Sequence, residues 1–256
     1  MTGAGSSALL LFGAGILGGI VGTAGGITSL VAYPALLLAG LPALRATVTG
    51  SVALVACWPG SALASRPELA GTGRWVLRWG AVAAIGGAAG AVLLLSTPPG
   101  VFSRIVPFLV AFGALALLLQ PRITSWRSRG PQPSRHGGHG GVLSAGVTPL
   151  SVYNGYFGAG SGVMLLALML ITVDPGITRA NALKNMLVGA ASIISAVLFA
   201  ILAPVDWTAV FPLAGGLFLG STIGPRVARR LPADVLRWLV ALLGLAFAAR
   251  LWLSPA

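Results

Sequence analysis

The chain reads as an all-α, polytopic membrane protein made of two homologous halves, and three observations predict it. Of 256 residues, 56% are hydrophobic and 8% charged, where a soluble domain typically carries about 25% charged residues; mean hydropathy is +0.94. Several apolar stretches reach about 20 residues, enough to cross a bilayer as helix, and the ten-residue alternation of a membrane β-barrel is absent. Finally, one unusual design occurs twice. Gly22-Thr23-Ala24-Gly25-Gly26 precedes an apolar run, then Arg45-Ala46-Thr47 and Ser51; Gly158-Ala159-Gly160-Ser161-Gly162 precedes another, then Arg179-Ala180-Asn181 and Asn185. Duplicated helices broken by glycine at matching places are a signature of secondary transporters, whose substrate site lies where the repeats meet.

In chain order, the apolar segments are 7–40, 43–65, 75–96, 101–120, 142–174, 178–203, 207–224 and 232–254, punctuated by Pro98-Pro99-Gly100, Ala203-Pro204-Val205-Asp206 and Leu231-Pro232. This predicts a first transmembrane repeat over 1–120, a flexible basic linker over 121–141 and a second repeat over 142–256. The linker is rich in Arg, Ser, Gly and Pro and too poor in apolar residues to pack. The first 44 residues carry no charged side chain; a signal peptide's basic n-region is missing, so the first segment is expected to be retained.

The first and fifth segments run about 33 residues, on the order of 50 Å of helix, which is long for one crossing of a ~30 Å core and short for two. Each is either one long broken span or a re-entrant hairpin with its glycine tip near mid-membrane. Arginine placement separates the two. Simple crossings put eight arginines on one face and seven on the other. Hairpins put twelve on the linker's face and leave only Arg45, Arg104 and Arg250 opposite, a positive-inside bias that favours the hairpins. Three further spans per half then invert the second half relative to the first. The linker is expected in the cytoplasm and both termini outside, in the cell membrane.

At each glycine cluster a new half-helix begins, near Gly26 and near Gly162. Helix starts present unpaired N–H groups and a positive dipole end, and glycine lets those amides approach a ligand closely. Two such starts meeting would cradle an anion, with Thr23, Thr28, Ser29 and Ser161 adding hydroxyls. Gly86, Gly87 and Gly90 are instead expected to serve helix packing. In the following helices, Thr47 and Ser51 share one face with Ser61 and Ser65. Asn181 and Asn185 share theirs with Ser192 and Ser195. These stripes either line a polar path or bond helix to helix. Lys184, the only lysine, either faces a ligand inside the membrane or snorkels to the nearby surface. Arg45 and Arg179 read as interface anchors. The expected substrate-binding set is therefore Gly22, Thr23, Gly25, Gly26, Thr47, Ser51, Gly158, Gly160, Ser161, Gly162, Asn181, Lys184 and Asn185.

Only Glu68, Asp174, Asp206 and Asp234 are acidic, all near segment ends, so no buried carboxylate relay for protons is expected. An inside-negative potential already favours anion export by ~2.3 kcal/mol per charge per 100 mV. The net charge of +12 comes from arginines in short loops, which orient a membrane protein and do not form a nucleic-acid surface. Cys57 stands alone, excluding an intrachain disulfide and a cysteine metal site. His136 and His139 belong to the linker, so they neither pair with Ser161 as an intramembrane catalyst nor find companion ligands for a metal. No cofactor and no enzyme activity are expected.

At these residues the chain resembles the sulfite exporter TauE/SafE family of membrane permeases. The glycine-rich opening, Pro34, Gly40 and the Arg-Ala-Thr stretch resemble the family's first repeat. Gly158 to Gly162, Gly176 and Arg179-Ala180-Asn181-Ala182-Leu183-Lys184-Asn185 resemble its second. The resemblance covers both halves outside the linker, with one departure: Leu170 stands where the first repeat has Pro34. It implies an inner-membrane permease for small, mostly sulfur-containing anions such as sulfite or sulfonates. The expected partners are that anion and the lipid bilayer, and a homo-oligomer is compatible with them. A membrane scaffold or assembly subunit, or a membrane-embedded enzyme, is the alternative.

Overall fold

The computed structural model describes residues 2–25, 28–128, 139–174 and 176–228, with single positions between 238 and 252. Among the described residues ten helices follow in order: α1 (Thr2–Gly25), α2 (Thr28–Leu38), α3 (Ala43–Leu54), α4 (Cys57–Ala64), α5 (Gly73–Ser96), α6 (Pro99–Ser128), α7 (His139–Tyr156), α8 (Ser161–Thr172), α9 (Ile177–Leu202) and α10 (Trp207–Ala228). No strand occurs among the described residues. Among the described residues, four stretches are long and apolar enough to cross a membrane: Ala43–Leu63, running through α3 and α4, Gly73–Ser96, Pro99–Leu119 and Ile177–Leu202.

Both long segments break where the glycines predict. After α7, Gly158 and Gly160 hold φ of +77° and +76°, a left-handed conformation that side chains resist. The Tyr153 hydroxyl donates to the Ala159 carbonyl at 2.7 Å and pins the loop. The chain then folds back: a Cβ built on Gly146 of α7 would lie 2.6 Å from the Leu168 side chain of α8. In the first segment the break falls between α1 and α2, and Gly18 and Gly22 of α1 face Thr28 at the start of α2. That helix ends in a Schellman motif. Gly40, at φ +93°, donates to Leu37 and the Leu41 amide to Leu36, and Pro42 then stops any continuation.

The segment expected as one helix over 43–65 is two. Pro59 has no N–H to give the Val55 carbonyl, and its ring crowds that turn. The Val55 carbonyl is taken instead by the Trp58 amide at 3.0 Å, within a short run of i→i+3 bonds from Val55 to Trp58. That tightened turn separates α3 from α4 and swings Trp58 inward.

Glycine stripes set the pairings. Cβ atoms built on Gly15 and Gly19 of α1 would strike the α10 backbone at Leu213 to Gly216 and at Leu217 to Ser221. The positions advance together, so α1 and α10 run parallel in close small-xxx-small contact. Gly86 and Gly90 of α5 meet Thr148 to Val152 and Val152 to Tyr156 of α7 in the same parallel sense, and Gly87 meets Ala191 of α9. The packing role expected for these glycines is therefore what they perform. Elsewhere the Asp206 amide donates to Thr49 Oγ1 at 3.1 Å, while Trp58 lies against Gly189. Thr49 thus sits past the end of α9 and Trp58 beside its middle, so α3 and α4 run antiparallel to α9.

Candidate functional site

One chamber, with a cavity volume of about 110 Å³, lies among these elements, well above the ~10–15 Å³ that a single water needs. Both helix breaks reach it. Gly22, Thr28 and Ser29 come from the first, and Asn154, Phe157, Gly158, Ser161 and Gly162 from the second. The two are in direct touch: the Tyr33 ring of α2 and the Phe157 ring stand edge to face with centroids 5.3 Å apart. Ser51, Trp58 and Ser61 close one side from α3 and α4; Lys184, Asn185, Ser192 and Ser195 close the other from α9.

Of the expected site residues, Gly22, Ser51, Gly158, Ser161, Gly162, Lys184 and Asn185 are thus brought together. Thr47 lines a smaller adjoining cavity of about 20 Å³, which shares Ser29, Ser51 and Phe157 with the chamber. Gly160 caps the start of α8 but faces α6, where a Cβ would come within 2.9 Å of Gly113. Asn181 sits one turn before Asn185 and off the chamber wall, its Oδ1 buried without a hydrogen-bond partner. Thr23 and Gly25 fall in the last turns of α1, and Gly26 lies outside the described residues.

The hydroxyl stripe is mostly engaged. Thr47 donates to the Ala43 carbonyl and Ser51 to that of Thr47, back-bonds within one helix. Ser195 lies within bonding distance of the carbonyls of Gly87, 2.9 Å, and Ala191, 2.8 Å, so it links α9 to α5. Ser161 Oγ stands 2.7 Å from Asn154 Oδ1 and 2.9 Å from the Gly158 carbonyl. With one proton each, these serines have spent their donors on the protein.

The lysine behaves differently. Lys184 is 1% exposed, so it does not snorkel to the surface. Its Nζ has no hydrogen-bond partner among the described residues, and neither does the buried Nε1 of Trp58. At the α8 start, Ser161 and Val163 amides bond Gly158 and Gly160 carbonyls, leaving the Gly162 amide without a described acceptor. No carboxylate lines the chamber among the described residues. Of the two arginines expected as interface anchors, Arg45 is exposed, and exposed Arg179 pairs with Asp174 at 3.6 Å.

Two polar wall residues are not foreseen by the sequence. Asn154, whose Nδ2 donates to Ser192 at 3.0 Å, ties the second break to α9. Trp58, in the first turn of α4 next to Pro59, stands on the chamber wall.

Apolar helices closed around a donor-rich chamber fit a membrane protein of the transporter class. The chain belongs to the sulfite exporter TauE/SafE family, whose model matches residues 7–251. It is 29% identical over 250 residues to the "Probable membrane transporter protein ORF9" of a Sinorhizobium species, covering 96% of this chain and 92% of that one. Identity to the "Probable membrane transporter protein YfcA" of Escherichia coli is 25% over 246 residues, 94% of this chain and 88% of the relative. A "Probable membrane transporter protein" of Haemophilus influenzae is 22% identical over 246 residues, 94% and 93% of the two chains. No solved structure matches the chain.

Proposed function

We propose that this transporter exports a small oxyanion of the sulfite or sulfonate type from the cell. The observation that carries this reading is the Lys184 ammonium, buried against the chamber with no partner and no carboxylate beside it among the described residues. Such a cation is costly unless something compensates it, and an anion entering the chamber does so. The Gly162 amide at the start of α8 adds backbone donation and the positive end of a helix dipole. Gly22, Thr28 and Ser29 present the first break on the opposite wall.

The helices before and after the breaks support a two-hairpin arrangement. The return arms α2 and α8 have 11 and 12 residues, on the order of 17 Å of helix, about half the ~30 Å hydrocarbon core. With their tips at mid-membrane, the antiparallel course of α3–α4 against α9 supports a reading of the halves as inverted repeats, inserted from opposite faces of the cell membrane. The linker is then cytoplasmic and the termini external. Membrane potential supplies the drive, ~2.3 kcal/mol per charge per 100 mV.

Reconstituted vesicles loaded with sulfite, with the potential imposed by a potassium gradient, test the reading. Wild-type protein should release sulfite faster when the loaded side is negative, and Lys184→Gln should reduce release at least about tenfold. Arg104→Ala, at an exposed site, should leave it unchanged. Equal effects of the two substitutions would remove Lys184 from the site.

A further inference from the structure

We propose that Trp58 is a second anion-contacting residue, its indole N–H acting with the Lys184 ammonium on one compact oxyanion, and that Gly189 is the positioning residue that lets the ring lie there. This rests on the anion reading above. An indole nitrogen only donates, and a buried donor left unmade bears the desolvation of its group without return. Of the buried side-chain nitrogens and oxygens without a partner among the described residues, two line the chamber, Trp58 Nε1 and Lys184 Nζ, and both are donors. The wall thus offers donors on two sides, from α4 and from α9. Of the chamber serines, Ser51, Ser161 and Ser195 have given their protons to the Thr47 carbonyl, to Asn154 Oδ1 and to the Gly87 carbonyl, so these three offer an entering anion no donor. A ligand with at least two acceptor oxygens and negative charge answers both orphaned groups at once; a neutral ligand answers the indole and leaves the ammonium uncompensated.

Gly189 explains why the indole can be there. It lies one turn beyond Asn185 on α9, and a Cβ built on it would collide with Cδ1 and Nε1 of the Trp58 ring. The glycine is a slot in the α9 surface, and any side chain in it must drive the ring, and its N–H, out of place.

The test uses the full-length protein in lipid nanodiscs with sulfite as probe and chloride as comparison. Trp58→Phe keeps the ring and removes the donor; it should weaken sulfite binding about tenfold or more and chloride binding less. In spectra of ¹⁵N-tryptophan-labelled protein, the one indole cross-peak missing from Trp58→Phe should move downfield on adding sulfite to wild type. Gly189→Ala should shift that peak without ligand and weaken sulfite binding. If Trp58→Phe binds sulfite like wild type while Lys184→Gln does not, the Trp58 contact is wrong and the anion reading stands. Wild-type protein that binds no anion overturns both. Should Trp58→Phe not purify folded, Gly189→Ala decides: unchanged sulfite affinity sinks the proposal.

Discussion

At the scale of single residues, the chamber separates side chains by where their hydrogen bonds already go. Ser195 links two helices through Gly87, so Ser195→Ala should cost about 0.5–1.5 kcal/mol of stability, read by thermal unfolding, with anion affinity little changed. Asp206 shows the same division outside the membrane-spanning segments. Its Oδ1 accepts from the Thr208 hydroxyl at 2.6 Å and from the Thr208 and Ala209 amides, capping α10. The Thr208 bond first, then those amides and the Arg45 charge, outweigh partial burial and hold its carboxyl below the usual range. A carboxyl depressed in the folded state stabilises it above its unfolded pKa of about 3.9, and that support is lost as pH falls through the folded value. Asp206→Ala should therefore remove a cap worth about 0.5–2 kcal/mol near neutrality and flatten the acid limb of the stability profile, both visible in unfolding temperatures between pH 7 and pH 3.

At the scale of elements, the sequence revealed what is local and hid what is not. The breaks between α1 and α2 and between α7 and α8 were legible because glycine clusters act where they stand, through positive φ and close approach. Lys184 was legible because a lone lysine in an apolar helix has few places to go. Asn154 and Trp58 were not. Their partners are 38 residues away in Ser192 and across the two halves in Gly189, and no periodicity announces a pairing of that range. The split of α3 from α4 hung on one proline, Pro59, in a segment otherwise apolar enough to read as continuous. Thr47 and Asn181 followed the right face by spacing, yet the helix turned them aside from the main chamber. Helix contacts give a prediction here too. Gly19→Val must push α1 off α10, since even a Cβ would come within 2.6 Å of the Leu217 carbonyl. It should abolish transport and shorten the protein's lifetime in the membrane. Gly13→Val, where a Cβ meets nothing within 4 Å, should do neither.

For the whole molecule, the arrangement of the two halves is a question of sidedness. With Cys57, the sole cysteine, replaced by alanine, Ser134→Cys in the linker should react with an impermeant maleimide only when the cytoplasmic face is exposed. Ser254→Cys, at the end of the last apolar segment, should react only from the outside. Labelling of both from one side would contradict the two-hairpin arrangement. The pairing of α1 with α10 and of α7 with α5 also has a temporal side. Gly15 meets Gly216, yet about 200 residues of synthesis separate them, so at 5–20 residues per second α1 waits roughly 10–40 s for its companion. During that interval its glycine stripe faces lipid or a chaperoning neighbour, and the first half is a lodger in the bilayer, completed only when the last helices arrive.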